Sequence, residues 1–347
     1  MTLHRFTMGN QRATLRRRVA GILILLGFVS GCGGPDANRV LADGATLADE
    51  LSTYYDSLSN SVLEHWAARV ALDTLKLERE TAEASARFAK AGAKSDTSAE
   101  DVAAKNIRKT LEQSNREIAV TKEALIHALR HRAEAARVLG SIYQALEHLN
   151  DPGSLKQAES AGENFGKAMA SLPPLKGSSA DISSGAAKAA NVLLSWRKGR
   201  QLRIAMGGLA ANFSVWKMNF EKDKETCLSI DEDRVSASHS VLEELAIEKM
   251  ASPNSLLSTL RLPVAVKVPD SYSNPEAGLE IARIAGFRSN VSWSCATDQL
   301  QLALSGMESA QNDVQRGKTP VLQSVEMELD HAKSCLAEHE SLVKGAE

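Results

Sequence analysis

The strongest constraint on this chain is a pair of long stretches in which mostly apolar residues recur at alternating intervals of four and three. This spacing is the a/d pattern of packed helices. The first stretch contains Leu47, Leu51, Tyr54, Leu58, Ser61, His65, Ala68, Leu72, Leu75, Arg79, Ala82, Ala86 and Ala89. The second contains Ile107, Leu111, Ser114, Ile118, Thr121, Leu125, Ala128, Arg132, Ala135, Leu139, Ile142, Leu146 and Leu149. Two helices of about 45 residues are therefore predicted, each about 70 Å long at 1.5 Å per residue.

The segment between these stretches predicts how the two helices are joined. The pattern breaks around Gly92, and Thr97-Ser98-Ala99-Glu100 then has the spacing of a capping box, a hydroxyl three residues before a carboxylate. Asn150-Asp151-Pro152-Gly153 ends the second helix. Residues 46–150 are therefore predicted to form a long antiparallel hairpin.

The remainder of the chain, residues 151–347, reads as a helical bundle region that packs with the hairpin or follows it. A second hairpin is predicted from Asn290 to Gln315 and from Thr319 to Lys344, with its turn at residues 316–318. Shorter helices are predicted from Leu155 to Leu172 and from Pro275 to Gly286. The acidic passage around Asp231 fits either a loop or a helix, and the segment between Pro263 and Pro275 is the only candidate for extended chain. Aromatic residues make up only 4% of the chain, which argues against an aromatic-rich β fold. The predicted fold is all-α, an elongated bundle with long antiparallel, coiled-coil-like hairpins.

The N-terminal 31 residues have the character of a secretory signal. They contain five arginines and no acidic residue, followed by an apolar run from Val19 to Val29. Eleven helical residues span only about 16 Å, whereas the hydrocarbon core of a bilayer is about 30 Å thick. A cleaved targeting segment is therefore favoured over a transmembrane helix.

Val29-Ser30-Gly31-Cys32 follows this apolar run and resembles the lipobox of bacterial lipoproteins. The resemblance implies that residues 1–31 are removed as a signal peptide and that Cys32 carries a diacylglyceryl group and an amide-linked acyl chain such as palmitate. It also implies that Gly33, because it is not Asp, permits transfer to the outer membrane. Residues 32–45 would then be a tether, and the protein would face the periplasm.

Loss of the basic signal would change the formal net charge from −2 to −7, because it carries five Arg and no acidic residue. An acidic mature chain disfavours nucleic acid as a partner. The sequence contains no phosphate-binding loop, nucleophile elbow, zinc-finger spacing or cofactor motif. We therefore expect neither a cofactor nor catalysis.

The cysteine count predicts one disulfide. Without Cys32 there remain Cys227, Cys295 and Cys335, an odd number in an oxidising compartment. Pairing of the last two helices about Lys318 would leave Cys295 and Cys335 six residues out of register. This is about 9 Å along the axis, too far for a disulfide. The predicted pair is therefore Cys227 with Cys295, and the alternative is three buried thiols.

Two sets of histidines suggest metal binding as an alternative to a purely structural role. His127 and His131 are four residues apart on one predicted helix and would share a face. On the last helix, His331, Cys335 and His339 follow one another at intervals of four, and His339 also continues the apolar a/d seam of that helix. These residues are candidate ligands of a metal-binding enzyme or storage bundle, but the sequence favours a solvated flank for the first pair and core packing for His339.

A basic segment precedes a glycine-containing apolar one in the second half of the chain. It contains Arg197, Lys198, Arg200 and Arg203, and residues 204–211 follow. This arrangement suggests either a membrane-active helix that seats on anionic lipid or a core helix with a basic flank. The leading expectation remains a lipid-anchored envelope protein that acts by binding an envelope partner or by organising the envelope, without catalysis.

Overall fold

The computed structural model describes residues 35–90, 97–147, 202–247 and 275–344, together with the single residues 160 and 164. The first four of these ranges contain five helices and no strand, which confirms the all-α prediction. The helices are α1 (Pro35–Lys90), α2 (Thr97–Glu147), α3 (Leu202–Ile247), α4 (Pro275–Gln315) and α5 (Gln323–Lys344). Apart from residues 160 and 164, the predicted helix from Leu155 to Leu172 lies outside the described residues, and so does the predicted extended chain at residues 264–274.

Helices α1 and α2 lie antiparallel, as predicted for the hairpin. Asp56 forms an ion pair with Arg137, and nine residues further along α1 the ring of His65 contacts Lys122 on α2. The later residue on α1 therefore contacts the earlier residue on α2, which shows that the two helices run in opposite directions. The coiled-coil character of this hairpin remains a prediction.

The other three helices complete an up-down-up-down-up bundle. Helix α3 is parallel to α1, since the ring of Phe220 lies beside Tyr54 and Arg234 forms an ion pair with Glu64. Helix α4 is antiparallel to both, and α5 returns antiparallel to α4. Each of the four helices after α1 therefore reverses the direction of the one before it.

Helix α1 is the central helix, in contact with all four others. This position explains why α1 buries more than the predicted a/d residues. Leu47, Leu51 and Leu58 are inaccessible to solvent, as the pattern predicts, and so are the neighbouring side chains of Tyr55 and Val62. A helix enclosed by several partners needs an apolar surface wider than a coiled-coil seam.

The predicted tether at residues 32–45 is wrong from residue 35 onwards, because α1 begins at Pro35. Proline is favoured in the first turn of a helix, where its missing N–H has no partner to lose. The alternating pattern continues backwards from Leu47 through Gly44, Val40 and Ala37, and all three are buried. Gly44 obscures the pattern in the sequence, but its backbone lies against the ring of Tyr143, where a Cβ would not fit.

Two further segments are more regular than the sequence pattern indicates. The acidic passage around Asp231 lies inside α3, which continues without interruption. Likewise, the predicted short helix from Pro275 and the helix from Asn290 form one helix, α4. In α3 the acidic passage can remain helical because Asp231 has partners in the core.

The turn between α4 and α5 is asymmetric. Gly317 adopts a positive φ of 72°. Its N–H donates a hydrogen bond to the carbonyl of Val314, and the N–H of Lys318 donates one to the carbonyl of Asp313. These two hydrogen bonds form a Schellman motif, which ends α4. Residues 318–322 then run back along α4 before α5 begins, and the side chain of Leu322 is buried.

This return of the chain shifts the pairing of the two helices. Gly306, nine residues before the end of α4, packs against Val325, two residues into α5. Arg288 similarly forms an ion pair with Glu338. Facing residues are therefore related by a centre near residue 315 instead of Lys318. Moving the centre by three residues changes the partner of each residue by about six, which is roughly 9 Å along the helix.

The predicted disulfide between Cys227 and Cys295 is therefore wrong. Cys295 is bonded to Cys335, with their Cα atoms 6.0 Å apart, and Cys227 is a buried free thiol. The shifted register removes the axial offset that excluded this pair, and 6.0 Å lies within the usual Cα separation of a disulfide. The bond joins α4 to α5.

Candidate functional site

Cys32, the lipidation candidate, lies outside the described residues, which begin three positions later in the chain. Helix α1 begins at Pro35, so at most about 10 Å of chain separates the two residues. One turn into α1, Arg39 forms an ion pair with Glu326 in the first turn of α5. The N-terminal end of α1 is thus held to the end of the bundle.

Asp43 lies one turn beyond Arg39 at the same end of the bundle. Partial burial, and secondarily the charge of Glu326, raises the pKa of Asp43 from 3.8 to about 6, although Arg39 acts in the opposite direction. Its Oδ2 atom is enclosed and accepts no hydrogen bond from the residues that the structure describes. Asp43 therefore titrates at a pH where an ordinary aspartate is fully ionised.

An aromatic cluster occupies the middle of the bundle. The rings of Tyr54 on α1 and Trp293 on α4 are stacked, with centroids 4.4 Å apart and 11° between their planes. Phe220 on α3 lies 5.4 Å from Tyr54, and His339 on α5 lies 4.8 Å from Trp293. Side chains from four helices meet here.

The polar ends of these two rings are bonded within the core. The hydroxyl of Tyr54 is 3.1 Å from Thr297 Oγ1, and the indole N–H of Trp293 donates to the carbonyl of Cys227 at 3.3 Å. Burial raises the pKa of Tyr54 well above 10. The phenol is therefore a neutral hydrogen-bonding group that orients the stack, because a large buried ring with a bonded polar end fits in one orientation.

A buried ion pair joins α2 to α3 beside this cluster. Arg132 Nε donates to Asp223 Oδ2 at 2.6 Å, and each side chain is 3% exposed. Burial raises the pKa of Asp223, and Arg132 only partly offsets that effect. Burial of the two charges costs desolvation free energy, and the attraction between Arg132 and Asp223 must offset that cost.

A second buried charged cluster links α1, α3, α4 and α5. Arg234 donates to Asp231 at 2.9 Å and to Ser289 Oγ at 2.7 Å, and it forms an ion pair with Glu64 at 3.5 Å. His339 Nε2 lies 3.1 Å from Asp231 Oδ1. Burial alone would raise the pKa of Asp231, but hydrogen bonding from His339 and the charge of Arg234 outweigh it and lower that pKa.

The free thiol of Cys227 lies between these two clusters. Complete burial, and secondarily the charge of Asp223, raises its pKa from 9.0 to about 12. Because the thiolate is the reactive form of cysteine, this side chain behaves as an inert core residue.

The metal candidates on the last helix are wrong. Cys335 forms the disulfide with Cys295 and has no free thiol, and His339 is buried against Asp231. His331 is exposed to solvent. The three residues therefore cannot supply one ion, because intrahelical spacing alone does not show which neighbours each side chain faces.

The other candidate pair does come together. His131 Nε2 lies 3.2 Å from His127 Nε2 on the surface of α2. Within the part of the chain that the structure describes, however, no group of three or more His, Cys, Asp or Glu side chains is arranged to hold a metal ion. A metal ion at this position would therefore have two protein ligands among the described residues, His127 and His131.

Part of the segment after Arg203 lies in the core. Met206, Leu209 and Phe213 are fully buried in the bundle, as expected for the core helix with a basic flank. Arg197, Lys198 and Arg200 lie outside the described residues. Among the helices of the described ranges, none is long and apolar enough to cross a membrane.

The buried charges were visible in the sequence only as exceptions to an apolar pattern. Arg132 and His339 occupy positions of the predicted a/d seams, where a charged or polar residue needs a buried partner. Their partners, Asp223 and Asp231, could not be identified because the pattern does not show which helices are neighbours. Each of the two clusters gives one of these residues a buried partner on α3, although Nδ1 of His339 and Oδ2 of Asp231 have no hydrogen-bond partner among the described residues.

Comparison with protein-family models, with curated protein sequences and with solved structures finds no match for this chain. Its function is therefore inferred from its own residues and contacts.

Proposed function

We propose that this chain is a lipid-anchored protein of the cell envelope, in which Cys32 carries the anchor and the helical bundle acts, without catalysis, as a scaffold that binds an envelope partner. The observation that carries the proposal is the position of the lipobox-like Val29-Ser30-Gly31-Cys32, three residues before the first helix begins at Pro35. The proposed location is the periplasmic face of the outer membrane.

The short connection has a mechanical consequence for an anchored protein. Three residues allow only about 10 Å between the acylated residue and α1. The ion pair between Arg39 and Glu326 places the N-terminal part of α1 beside the start of α5. On this proposal the bundle is held against the membrane surface by one end instead of moving freely on a long tether.

The length of α1 sets how far the scaffold reaches. Its 56 residues span about 84 Å along the axis. Buried contacts such as Arg132 with Asp223 fix the register of neighbouring helices. A long bundle with a defined register suits a protein that presents a binding surface at a set distance from the membrane.

Replacement of Cys32 by Ser tests the anchor, because a hydroxyl cannot take the thioether-linked lipid. We expect the wild type in the membrane fraction and the Cys32→Ser protein in the soluble fraction of lysed cells. A Cys32→Ser protein that stays with the membranes would contradict the proposal.

A second substitution serves as a matched control. Gly33→Asp leaves Cys32 available for acylation, so this variant should remain membrane-bound while moving from the outer-membrane to the inner-membrane fraction. An unchanged distribution of Gly33→Asp would contradict the outer-membrane part of the proposal and leave the anchor itself intact.

Partner binding has a separate test. Cross-linking in intact envelopes, followed by purification of the chain under denaturing conditions, should recover a discrete cross-linked species from the wild type. The same species should be lost from the Cys32→Ser variant expressed at an equal level. Recovery of only the uncross-linked chain from both would contradict the scaffold role.

A further inference from the structure

Two imidazoles lie side by side on the outer surface of α2. The Nε2 atoms of His127 and His131 are 3.2 Å apart, and the ring centroids are separated by 4.3 Å with 56° between the ring planes. His127 is exposed and His131 is half-buried. Both nitrogen atoms are therefore accessible from solvent.

The separation of these two atoms matches that of two ligands on one ion. With metal–nitrogen bonds of about 2.0–2.1 Å, two imidazoles on a tetrahedral ion place their nitrogen atoms about 3.3 Å apart, and two at a right angle place them about 2.9 Å apart. The observed 3.2 Å lies between these values. An ion bound by both nitrogen atoms would take the place of the hydrogen bond between His127 and His131, with the two rings turned towards it.

The backbone beneath the pair is held by the core of the bundle. Ala128 and Leu129, which follow His127, are buried, and Arg132, which follows His131, is fixed by its ion pair with Asp223. The histidines therefore project from a turn of helix that tertiary contacts keep in place. Such support lowers the ordering cost of binding.

The donor set selects the class of ion. Neutral imidazole nitrogen suits Cu²⁺, Ni²⁺ and Zn²⁺, whereas Mg²⁺ and Ca²⁺ prefer oxygen ligands. Two protein ligands leave the other coordination positions to water or to an incoming group. The site would accordingly bind and release its ion readily.

We propose that His127 and His131 form a two-imidazole site on the surface of the bundle for one exchangeable divalent transition-metal ion of the copper and zinc class. The site is independent of the lipid anchor and of the scaffold role proposed above. It is also distinct from the buried charged clusters, whose histidine, His339, is enclosed.

Titration with Cu²⁺ tests the site, since copper is the strongest binder in this series and its spectrum reports nitrogen ligands. The full mature chain is purified in detergent through a tag that contains no histidine. Calorimetry should show one equivalent bound to the wild type. Electron paramagnetic resonance at one equivalent should show coupling to two equivalent nitrogen atoms.

Three variants complete the test. His127→Asn and His131→Asn should each lower the Cu²⁺ affinity about tenfold or more, while His331→Asn, which changes another exposed histidine, should leave it unchanged. Cu²⁺ should also raise the melting temperature of the wild type and the His331→Asn protein, but not of the double variant. Circular dichroism without metal checks that all variants are folded.

Two outcomes would overturn the proposal. A double variant, His127→Asn with His131→Asn, that binds one equivalent of Cu²⁺ with wild-type affinity and spectrum would exclude the pair as the site. An equal loss of affinity in His331→Asn would show adventitious binding to surface histidines in general.

Discussion

The guanidinium Nε of Arg132 lies 2.6 Å from Asp223 Oδ2, and both side chains are 3% exposed. This contact joins the second helix of the long hairpin to α3, far apart in the chain. It lies beside the aromatic cluster in which Tyr54 stacks on Trp293. The two residues show how the bundle combines a wide apolar core with a few charged contacts that fix the pairing of its helices.

Removal of either member of the pair should be more harmful than removal of both. Arg132→Met leaves a buried carboxylate without its partner, and Asp223→Leu leaves a buried guanidinium. Each should lower the free energy of unfolding by about 3–5 kcal/mol. The double variant should lie within about 1–2 kcal/mol of the wild type, because an apolar pair avoids the desolvation cost. Urea unfolding of all four proteins measures the coupling.

The double-mutant cycle can also contradict this expectation. If the two single losses simply add in the double variant, the contact between Arg132 and Asp223 contributes nothing to stability as a pair. The register between α2 and α3 would then be determined by apolar packing alone.

Asp43 should make the bundle less stable at neutral pH than at pH 5. Its pKa is raised to about 6 when folded and is near 3.8 when unfolded, so the folded state binds the proton more tightly between these values. Asp43→Asn mimics the protonated form at every pH. It should raise the free energy of unfolding by about 1 kcal/mol at pH 7.5, after allowance for solvent screening of a half-buried group, and by almost nothing below pH 3.8.

The matched control is Asp49→Asn, which changes an exposed carboxyl on the same helix. Its effect on stability at pH 7.5 should be small. An Asp43→Asn protein that is no more stable than the wild type at neutral pH would show that Asp43 carries no penalty in the folded state.

The cysteines give a chemical test of the register between α4 and α5. Peptide mapping without reduction should recover a linked pair of peptides containing Cys295 and Cys335, which enclose a loop with a sequence separation of 40. Cys227 should react with a maleimide only after denaturation, because burial removes access and raises the pKa of its thiol to about 12. Reduction should lower stability by about 2–4 kcal/mol.

Recovery of Cys227 in a disulfide would contradict the register of α4 and α5. Rapid labelling of Cys227 in the folded protein would instead show that the core around Tyr54 opens readily. The two results concern different parts of the bundle and are therefore separable.

Periodicity predicted the helices well because burial of one face leaves a direct trace in the sequence. Leu47, Leu51 and Leu58 lie in the core as their spacing indicates. The same reasoning failed at the start of α1, where Gly44 interrupts the apolar pattern although its lack of a side chain is what admits the ring of Tyr143. A pattern that counts apolar side chains cannot detect a position where none fits.

The contacts between helices were harder to predict. The pairing of Cys295 with Cys335 depends on how the chain turns after Gly317, and a turn assumed to be symmetric misplaced it by about two helical turns. His339 was recognised as a polar residue on an apolar seam, but Asp231, its partner on α3, lies 108 residues away in the chain. Helical periodicity carries no information about such distant neighbours.

The most direct test of the lipid-anchored scaffold is the mass of the N-terminal peptide of the mature protein. Proteolysis of the membrane-extracted chain, followed by mass spectrometry, should yield a peptide that begins at Cys32 and carries the mass of a diacylglyceryl group and an amide-linked acyl chain. A peptide that begins at an unmodified residue, or one that retains residues before Cys32, would contradict the proposed anchor.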